Sequence, residues 1–133
     1  MACWMLKSEP DSYGWKELAR DHGTEWDGVR SAAARLHLKA MAVGDEAMLY
    51  HSGKEKAAVA VLRIARAWRP EGPEGDWASV DVAPVRLLGQ PVLLATMKAD
   101  PRLAGLAMLR QPRLSVSPVS ADEWTVLLEL GGG

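Results

Sequence analysis

The sequence predicts an α+β fold in which short helices surround a bent mixed sheet or a small open barrel. Short apolar runs of strand length alternate with segments whose apolar residues recur at helical spacing. Clusters of Gly, Pro, Asp and Ser separate these segments at short intervals. Because only roughly three to five short strands are expected, the sheet can cover its apolar faces only by curling.

The first apolar run, at residues 2–6, predicts a buried strand that ends at the turn-forming residues 10–12. A short helix is expected next, because apolar side chains recur at helical spacing. These side chains are Trp15, Leu18 and Ala19. The helix is expected to close at residues 21–23.

Residues 24–30 are predicted to form a charged, turn-like loop. Trp26 lies in this loop between acidic residues and has no periodic apolar partners, so we expect its indole to be partly exposed. A second helix is predicted to begin after Ser31, whose hydroxyl can cap the first free backbone amides. It is expected to end near residues 43–45.

The middle of the chain has the period of strands. Residues 46–51 and 57–66 predict two strands joined by a short turn. Residues 70–76 have the composition of a flexible loop. A further strand is predicted at 77–88, where the alternation is imperfect and Pro84 marks a bulge or an edge.

The last third predicts two small helices and a strand. Asp100 followed by Pro101 is a helix start, because the carboxylate can cap and the proline fits the first turn. Residues 114–119 are expected to be extended, and SADE at 120–123 has the form of a capping box. Trp124 follows on an apolar helical face and is expected to lie in the core.

The composition favours one globular domain spanning residues 1–133, with 48% apolar and 25% charged residues in a chain of 133. A net charge of −1 argues against a protein that coats long duplexes, although it permits a local basic groove. Cys3 is the only cysteine, which favours a reducing compartment. The apolar opening is too short for a signal peptide, so we expect a cytoplasmic protein.

Several kinds of catalytic site are disfavoured by the motifs. The three histidines, His22, His37 and His51, have no cysteine or carboxylate at ligand spacing, so no metal is expected. The sequence contains no G-x-S-x-G nucleophile turn and no phosphate-binding glycine loop, so no cofactor and no catalytic residue are predicted.

Polar side chains cluster where apolar strands end, at residues 7–9, 50–52 and 110–115. The ends of strands around a small bent sheet are a common position for a ligand pocket. For any one of these groups, the alternative is an ordinary solvated strand terminus.

Four segments together resemble the EVE domain family: WMLKSEPDSYGW at 4–15, TEWDGVRSAAAR at 24–35, VGDEAMLYHS at 43–52 and RQPRLSV at 110–116. The resemblance covers nearly the whole chain. It implies a PUA-like fold and a module that takes a modified nucleobase into a pocket. The implied ligand is methylated or hydroxymethylated cytosine, in DNA rather than RNA.

The resemblance also implies which residues bind the nucleobase. Trp26 would stack on a flipped base, and the arginines would approach the base or its phosphate. The implied set is Lys7, Ser8, Glu9, Trp26, Arg30, Ser31, Tyr50, His51, Ser52, Arg110, Arg113, Leu114 and Ser115.

Two departures from the family pattern leave the identity of the base open. Ser31 and Leu36 stand where the family commonly has asparagine, whose amide can both donate to and accept from a base edge. Two alternatives also remain open. One is a domain that binds unmodified RNA loops, and the other is a small amidohydrolase that uses Lys7 and Glu9 as an acid-base pair.

Overall fold

The computed structural model describes residues 2–29, 31–73, 75 and 77–132. Six strands form one mixed sheet. They are β1 (Cys3–Ser8), β2 (Thr24–Trp26), β3 (Glu46–His51), β4 (Ala57–Glu71), β5 (Trp77–Leu93) and β6 (Val116–Val119). The helices are α1 (Trp15–Asp21), α2 (Ala32–Ala40), α3 (Leu94–Ala99), α4 (Ala107–Arg110) and α5 (Ala121–Leu130), and a 3₁₀ turn covers Pro101–Leu103.

The strand order is β2-β5-β4-β3-β1-β6, and β1 runs parallel to β3 while every other neighbouring pair is antiparallel. Helix α2 packs against β4, β5 and β6, which come from both halves of the sheet, so the sheet bends around this helix. The strands of the described residues form an open sheet with β2 and β6 at its edges. The predicted α+β class and bent mixed sheet are confirmed, whereas closure into a barrel is not observed.

Alternation along the strands divides the core between the two faces of the sheet. On the face that α2 covers, which we call the α2 face, Leu6 and Leu49 pack with Leu38 of the helix. On the opposite face, the α5 face, Met5 and Met48 pack with side chains of α3, α4 and α5. Consecutive residues of β1 therefore point to opposite faces of the sheet, and so do the polar residues Lys7 and Ser8 at its end.

The helix starts follow the predicted capping chemistry. The Ser31 hydroxyl accepts a hydrogen bond from the amide of Ala34 at 3.3 Å. Ser120 and Glu123 form the predicted capping box of α5, and Trp124 on that helix is buried. The Asp100 carboxylate accepts from the amide of Arg102, although the element it caps is a 3₁₀ turn.

The strands differ from the prediction in several places. Strand β4 runs to Glu71, past the predicted end at 66 and into the predicted loop at 70–76. Residues 24–26, predicted as a loop, form β2 by pairing with β5. Strand β5 continues to Leu93, beyond the predicted end at 88, and is followed by the unpredicted helix α3. The bulge predicted at Pro84 is confirmed, because Val61 pairs with Arg86 and Leu62 with Pro84, so that Val85 is the extra residue.

No helix in the described part of the chain is long and apolar enough to cross a bilayer.

Candidate nucleic-acid interface

A cavity of about 430 Å³ opens on the α2 face where β1 and β2 end, and we call it the first cavity. Its walls combine aromatic, hydroxyl and acidic side chains. They are Lys7, Ser8, Tyr13, Thr24, Glu25, Trp26, Asp27, Gly28, Val29 and Ser115. The volume lies in the usual range for small-molecule pockets and is large enough for one nucleobase.

Trp26 lines the first cavity but is not the exposed loop residue that the sequence predicted. It is the last residue of β2, pairs with Val80 of β5, and is only 9% exposed. Its indole belongs to the apolar core of the α2 face together with Val29 and Val80. The prediction of a partly exposed loop side chain was wrong, because pairing with β5 draws this short segment into the sheet.

A polar cluster fastens β2 to the sheet next to the first cavity. The Glu25 carboxylate accepts from the Ser79 hydroxyl at 2.6 Å and from the Arg69 guanidinium at 3.0 Å. The hydrogen bond from Ser79, followed by that from Arg69, lowers the pKa of Glu25. Arg66 lies 3.5 Å from the same carboxylate and 2.9 Å from Asp81. Glu25 is therefore occupied in holding the edge strand, while Asp27 is exposed.

Three hydroxyl-bearing residues shape the other wall. Ser8 donates a short hydrogen bond to the carbonyl of Tyr13, which ties the loop after β1 to the strand end. The half-buried Tyr13 donates to the Asp21 carboxylate at 2.9 Å. Ser115 lines the cavity beside Lys7, and its carbonyl accepts from the Lys7 amide at 2.9 Å. Ser8 and Ser115 were in the predicted set, and Tyr13 was not.

Tyr13 could have been found from the sequence. It is the one tyrosine inside the KSEPDSYGW stretch that carried the family resemblance. Its aromatic ring lines the cavity while remaining half exposed, so it is a better stacking surface than the buried Trp26.

Lys7 borders the first cavity, but its ammonium lies on the other face of the sheet. Its Nζ donates to the Pro112 carbonyl at 2.7 Å and lies 5.8 Å from the centre of the Tyr50 ring. Partial burial lowers the pKa of this ammonium. Pro112 and Tyr50 both line a separate cavity of about 280 Å³ on the α5 face, the second cavity.

Tyr50 and Ser52 also line the second cavity and are absent from the first. Tyr50 is 4% exposed and belongs to the core of the α5 face. The Ser52 hydroxyl and amide both donate to the Ser8 carbonyl, at 3.2 and 2.9 Å. The structure thus divides between two cavities the residues that the resemblance had grouped around one base.

His51 is buried, and both of its ring nitrogens have partners within the chain. Its Nε2 accepts from the amide of Trp15 at 3.2 Å at the start of α1, and its Nδ1 is 3.1 Å from the Glu55 carboxylate. Both ring nitrogens are therefore engaged away from the first cavity. Glu9 is exposed and lines neither cavity. No ion pair joins Glu9 to Lys7 in the described residues.

The remaining predicted residues that the structure describes line neither the first nor the second cavity. Ser31 caps α2 and is exposed. Arg110 and Arg113 are exposed, whereas Leu114 is buried in the core of the α2 face. Arg30 lies outside the described residues. Residues 111–114 and Ser31 border a separate shallow depression, and the arginine-bearing loop does not line the first cavity.

Within the described ranges, no group of three or more His, Cys, Asp or Glu side chains is arranged to hold a metal ion.

Comparison with known proteins gives consistent matches over the whole chain. The EVE domain family model matches residues 2–130. A solution structure of a Rhodopseudomonas palustris protein is 40% identical, with a TM-score of 0.94, and the match covers 99% of this chain and 94% of that one.

Human thymocyte nuclear protein 1 is 29% identical over 96% of this chain and 72% of its own length. A crystal structure of that human protein in complex with DNA containing 5-methylcytosine superposes with a TM-score of 0.86 at 28% identity, covering 100% of this chain and 99% of that one. A yeast YTH domain from Zygosaccharomyces rouxii shares only 13% identity, with a TM-score of 0.61 over 98% and 86% of the two chains, which is a likeness of fold. The names of these relatives describe no catalysed reaction.

Proposed function

The chain belongs to the EVE domain family, and from this premise we propose that it is a non-catalytic module that binds a modified nucleobase flipped into the first cavity. The proposed ligand is a strand that contains methylated or hydroxymethylated cytosine. The proposed contacts are made by Tyr13, Trp26, Ser8 and Ser115. Residues 1–133 would act as one domain.

The observation that carries this proposal is the first cavity itself. It is large enough for one base, it is lined by the aromatic residues Tyr13 and Trp26, and hydroxyl groups at Ser8 and Ser115 can hydrogen-bond a base edge. A base that leaves its stack loses a few kcal/mol, and stacking in such a cavity can offset that loss. The human relative was crystallised with 5-methylcytosine DNA, which supports DNA over RNA as the partner.

Tyr13→Ala tests the stacking surface. We expect it to weaken binding of an oligonucleotide containing 5-methylcytosine by about 1–3 kcal/mol, because the ring supplies the base–aromatic contact. Tyr13→Phe is the matched control. It keeps the ring and removes only the hydroxyl that bonds Asp21, so it should bind like the parent. Binding isotherms and thermal melts of each variant are the measurements.

The same isotherms test whether the ligand is a modified base. Oligonucleotides that differ by one methyl or hydroxymethyl group should differ in affinity by about 10 to 200-fold, since a single methyl in a pocket discriminates only to that extent. Equal affinity for all of them, or tighter binding of unmodified RNA loops, would support the RNA-binding alternative instead.

The proposal includes the absence of turnover. The amidohydrolase alternative needs Lys7 and Glu9 to act together, yet the Lys7 ammonium points to the second cavity and Glu9 is exposed. Incubation with modified nucleosides and simple amides, followed by mass spectrometry, should give no product. A product that disappears in Glu9→Gln would favour the enzyme.

We further propose a cytoplasmic location. The buried thiol of Cys3 favours a reducing compartment, although the nucleus, which the name of the human relative indicates for that protein, is also reducing. Burial, followed by the nearby carboxylates of Glu46 and Asp45, raises the pKa of this thiol, so it is not a reactive nucleophile.

A further inference from the structure

The second cavity concentrates positive charge that the proposed base site does not use. Three lysines line it: Lys7 from the end of β1, Lys56 before β4, and Lys98 in α3. No acidic side chain is among the described residues that line it. Because the whole chain carries a net charge of −1, this is a local feature and not part of a generally basic surface.

A phenol at the wall of the same cavity can contact a ligand. Tyr50 as a residue is 4% exposed and lines the cavity, and its hydroxyl is not among the fully buried side-chain atoms that lack a partner in the described residues, so solvent in the cavity reaches it. A hydroxyl in that position can exchange its contact with solvent for a hydrogen bond to a bound group. Burial raises the pKa of Tyr50, which keeps the hydroxyl protonated as a donor.

Backbone groups hold the Lys7 ammonium and the main chain of Lys56, whereas the side chains of Lys56 and Lys98 are exposed. One proton of the Lys7 ammonium bonds the Pro112 carbonyl, which leaves two donors for another partner. Lys56 has φ 48°, a left-handed conformation that a non-glycine residue rarely adopts. Its carbonyl accepts from the amide of Leu94 at 2.8 Å, which joins this strained residue to the start of α3, the helix that carries Lys98.

The lining and the volume of the second cavity narrow the class of ligand that it can hold. Leu94, Met108 and Leu109 make part of the lining apolar, which lowers the local dielectric and strengthens any charge interaction. A volume of about 280 Å³ fits a compact group rather than a second base with its sugar. The three ammonium groups supply donors only, and the hydroxyls of Tyr50 and Ser52 can donate as well as accept, so an anion with several acceptor oxygens fits this lining.

We propose that the second cavity binds a phosphate group. Phosphate offers an acceptor oxygen to each lysine and to Tyr50, and lysine is a common phosphate ligand. Lys7 borders both cavities, so one candidate source of the phosphate is the strand whose base enters the first cavity. The assignment of the phosphate to a bound strand rests on the proposed function, whereas the phosphate site itself does not.

Inorganic phosphate alone tests the site without any base. Added to the protein at low ionic strength and followed by NMR, it should cause saturable shifts of the backbone amides of Gly53, Lys56 and Lys98. Lys98→Gln and Tyr50→Phe should each weaken this binding at least several-fold. Lys16→Gln removes the same charge from an exposed position on α1 and should leave the affinity unchanged. Shifts that do not saturate, or that are the same in Lys98→Gln as in the parent, would overturn the proposal.

Oligonucleotides identify the source of the phosphate. If it belongs to the bound strand, Lys98→Gln should weaken modified and unmodified strands equally and reduce the slope of log affinity against log salt by about 0.7, as expected for one lost contact to a single strand. Saturable binding of inorganic phosphate with unchanged strand affinity would still support the site and identify its ligand as a free phosphate. Failure of base recognition would appear separately, in the Tyr13 variants.

Discussion

Trp26→Ala is expected to lower the free energy of unfolding by about 3–5 kcal/mol, as is usual when a buried aromatic side chain is truncated. The indole is 9% exposed and packs with Val29 and Val80 in the core of the α2 face. Its removal would open a cavity in that core. It would also release part of what holds the three-residue strand β2 at the edge of the sheet.

The binding of a modified base should be lost in the same variant, but for a structural reason. Once β2 loosens, the wall formed by residues 24–29 no longer faces Tyr13 across the first cavity. Hydrogen exchange should therefore show faster exchange in β2 than in β3, since edge elements with few buried contacts open first. Trp26→Phe should retain most of the stability and most of the binding.

Trp68→Ala is the control for Trp26→Ala. Trp68 lies on β4 and is 39% exposed. Among the ring–ring and cation–ring contacts of the described residues, its only partner is the Lys39 ammonium, which lies 5.0 Å from the ring centre. Trp68→Ala should lower the free energy of unfolding by no more than about 1 kcal/mol. If Trp26→Ala melts within the same range as Trp68→Ala, the indole is not part of the core and the packing described for β2 is wrong.

The fold was predictable from the sequence wherever local signals decide it. Short apolar runs bounded by turn residues located β1, β3 and the first part of β4, and hydroxyl caps located the starts of α2 and α5. β2 was missed because TEW has two polar residues in three. Its strand conformation depends on pairing with β5, more than fifty residues away in sequence, which no local pattern reports.

The candidate site was only partly predictable, and alternation explains the error. The KSEP stretch was interpreted as one edge of one pocket, yet neighbouring residues of a strand point to opposite faces. Ser8 therefore faces the first cavity while the Lys7 ammonium faces the second. The convergence of Lys7, Lys56 and Lys98 could not be predicted, because the three residues come from separate elements.

Asp45→Ala is expected to have the second large effect, a loss of about 2–4 kcal/mol of unfolding free energy. The carboxylate is 5% exposed and accepts three hydrogen bonds: from the Trp4 indole at 3.1 Å, from the Ala42 amide at 2.9 Å and from the Ala2 amide at 3.2 Å. It thus joins the start of β1 to the segment after α2. Alanine would leave the buried indole N–H of Trp4 without a partner.

The stability that Asp45 contributes should depend on pH in a direction fixed by its pKa. Burial acts to raise this pKa, but the hydrogen bonds from Ala42, Trp4 and Ala2 outweigh it, so the pKa is lowered in the folded protein. The unfolded chain, with an aspartate pKa of about 3.9, then binds the proton first as the pH falls. The contribution is complete above about pH 5 and is lost as the pH falls below about 4, through the folded pKa.

Asp45→Asn isolates this dependence, because it keeps the size of the side chain and removes the charge. The difference in unfolding free energy between parent and variant should be constant from about pH 5 to 7 and should shrink toward acid, measured by urea denaturation at each pH. Trp4→Phe removes the indole donor and should raise the folded pKa of Asp45 toward its ordinary value. In that background, Asp45→Asn should change the unfolding free energy by less at every pH. A difference that grows as the pH falls would mean that the carboxylate is destabilising in its charged form, which contradicts the hydrogen-bond arrangement around Asp45.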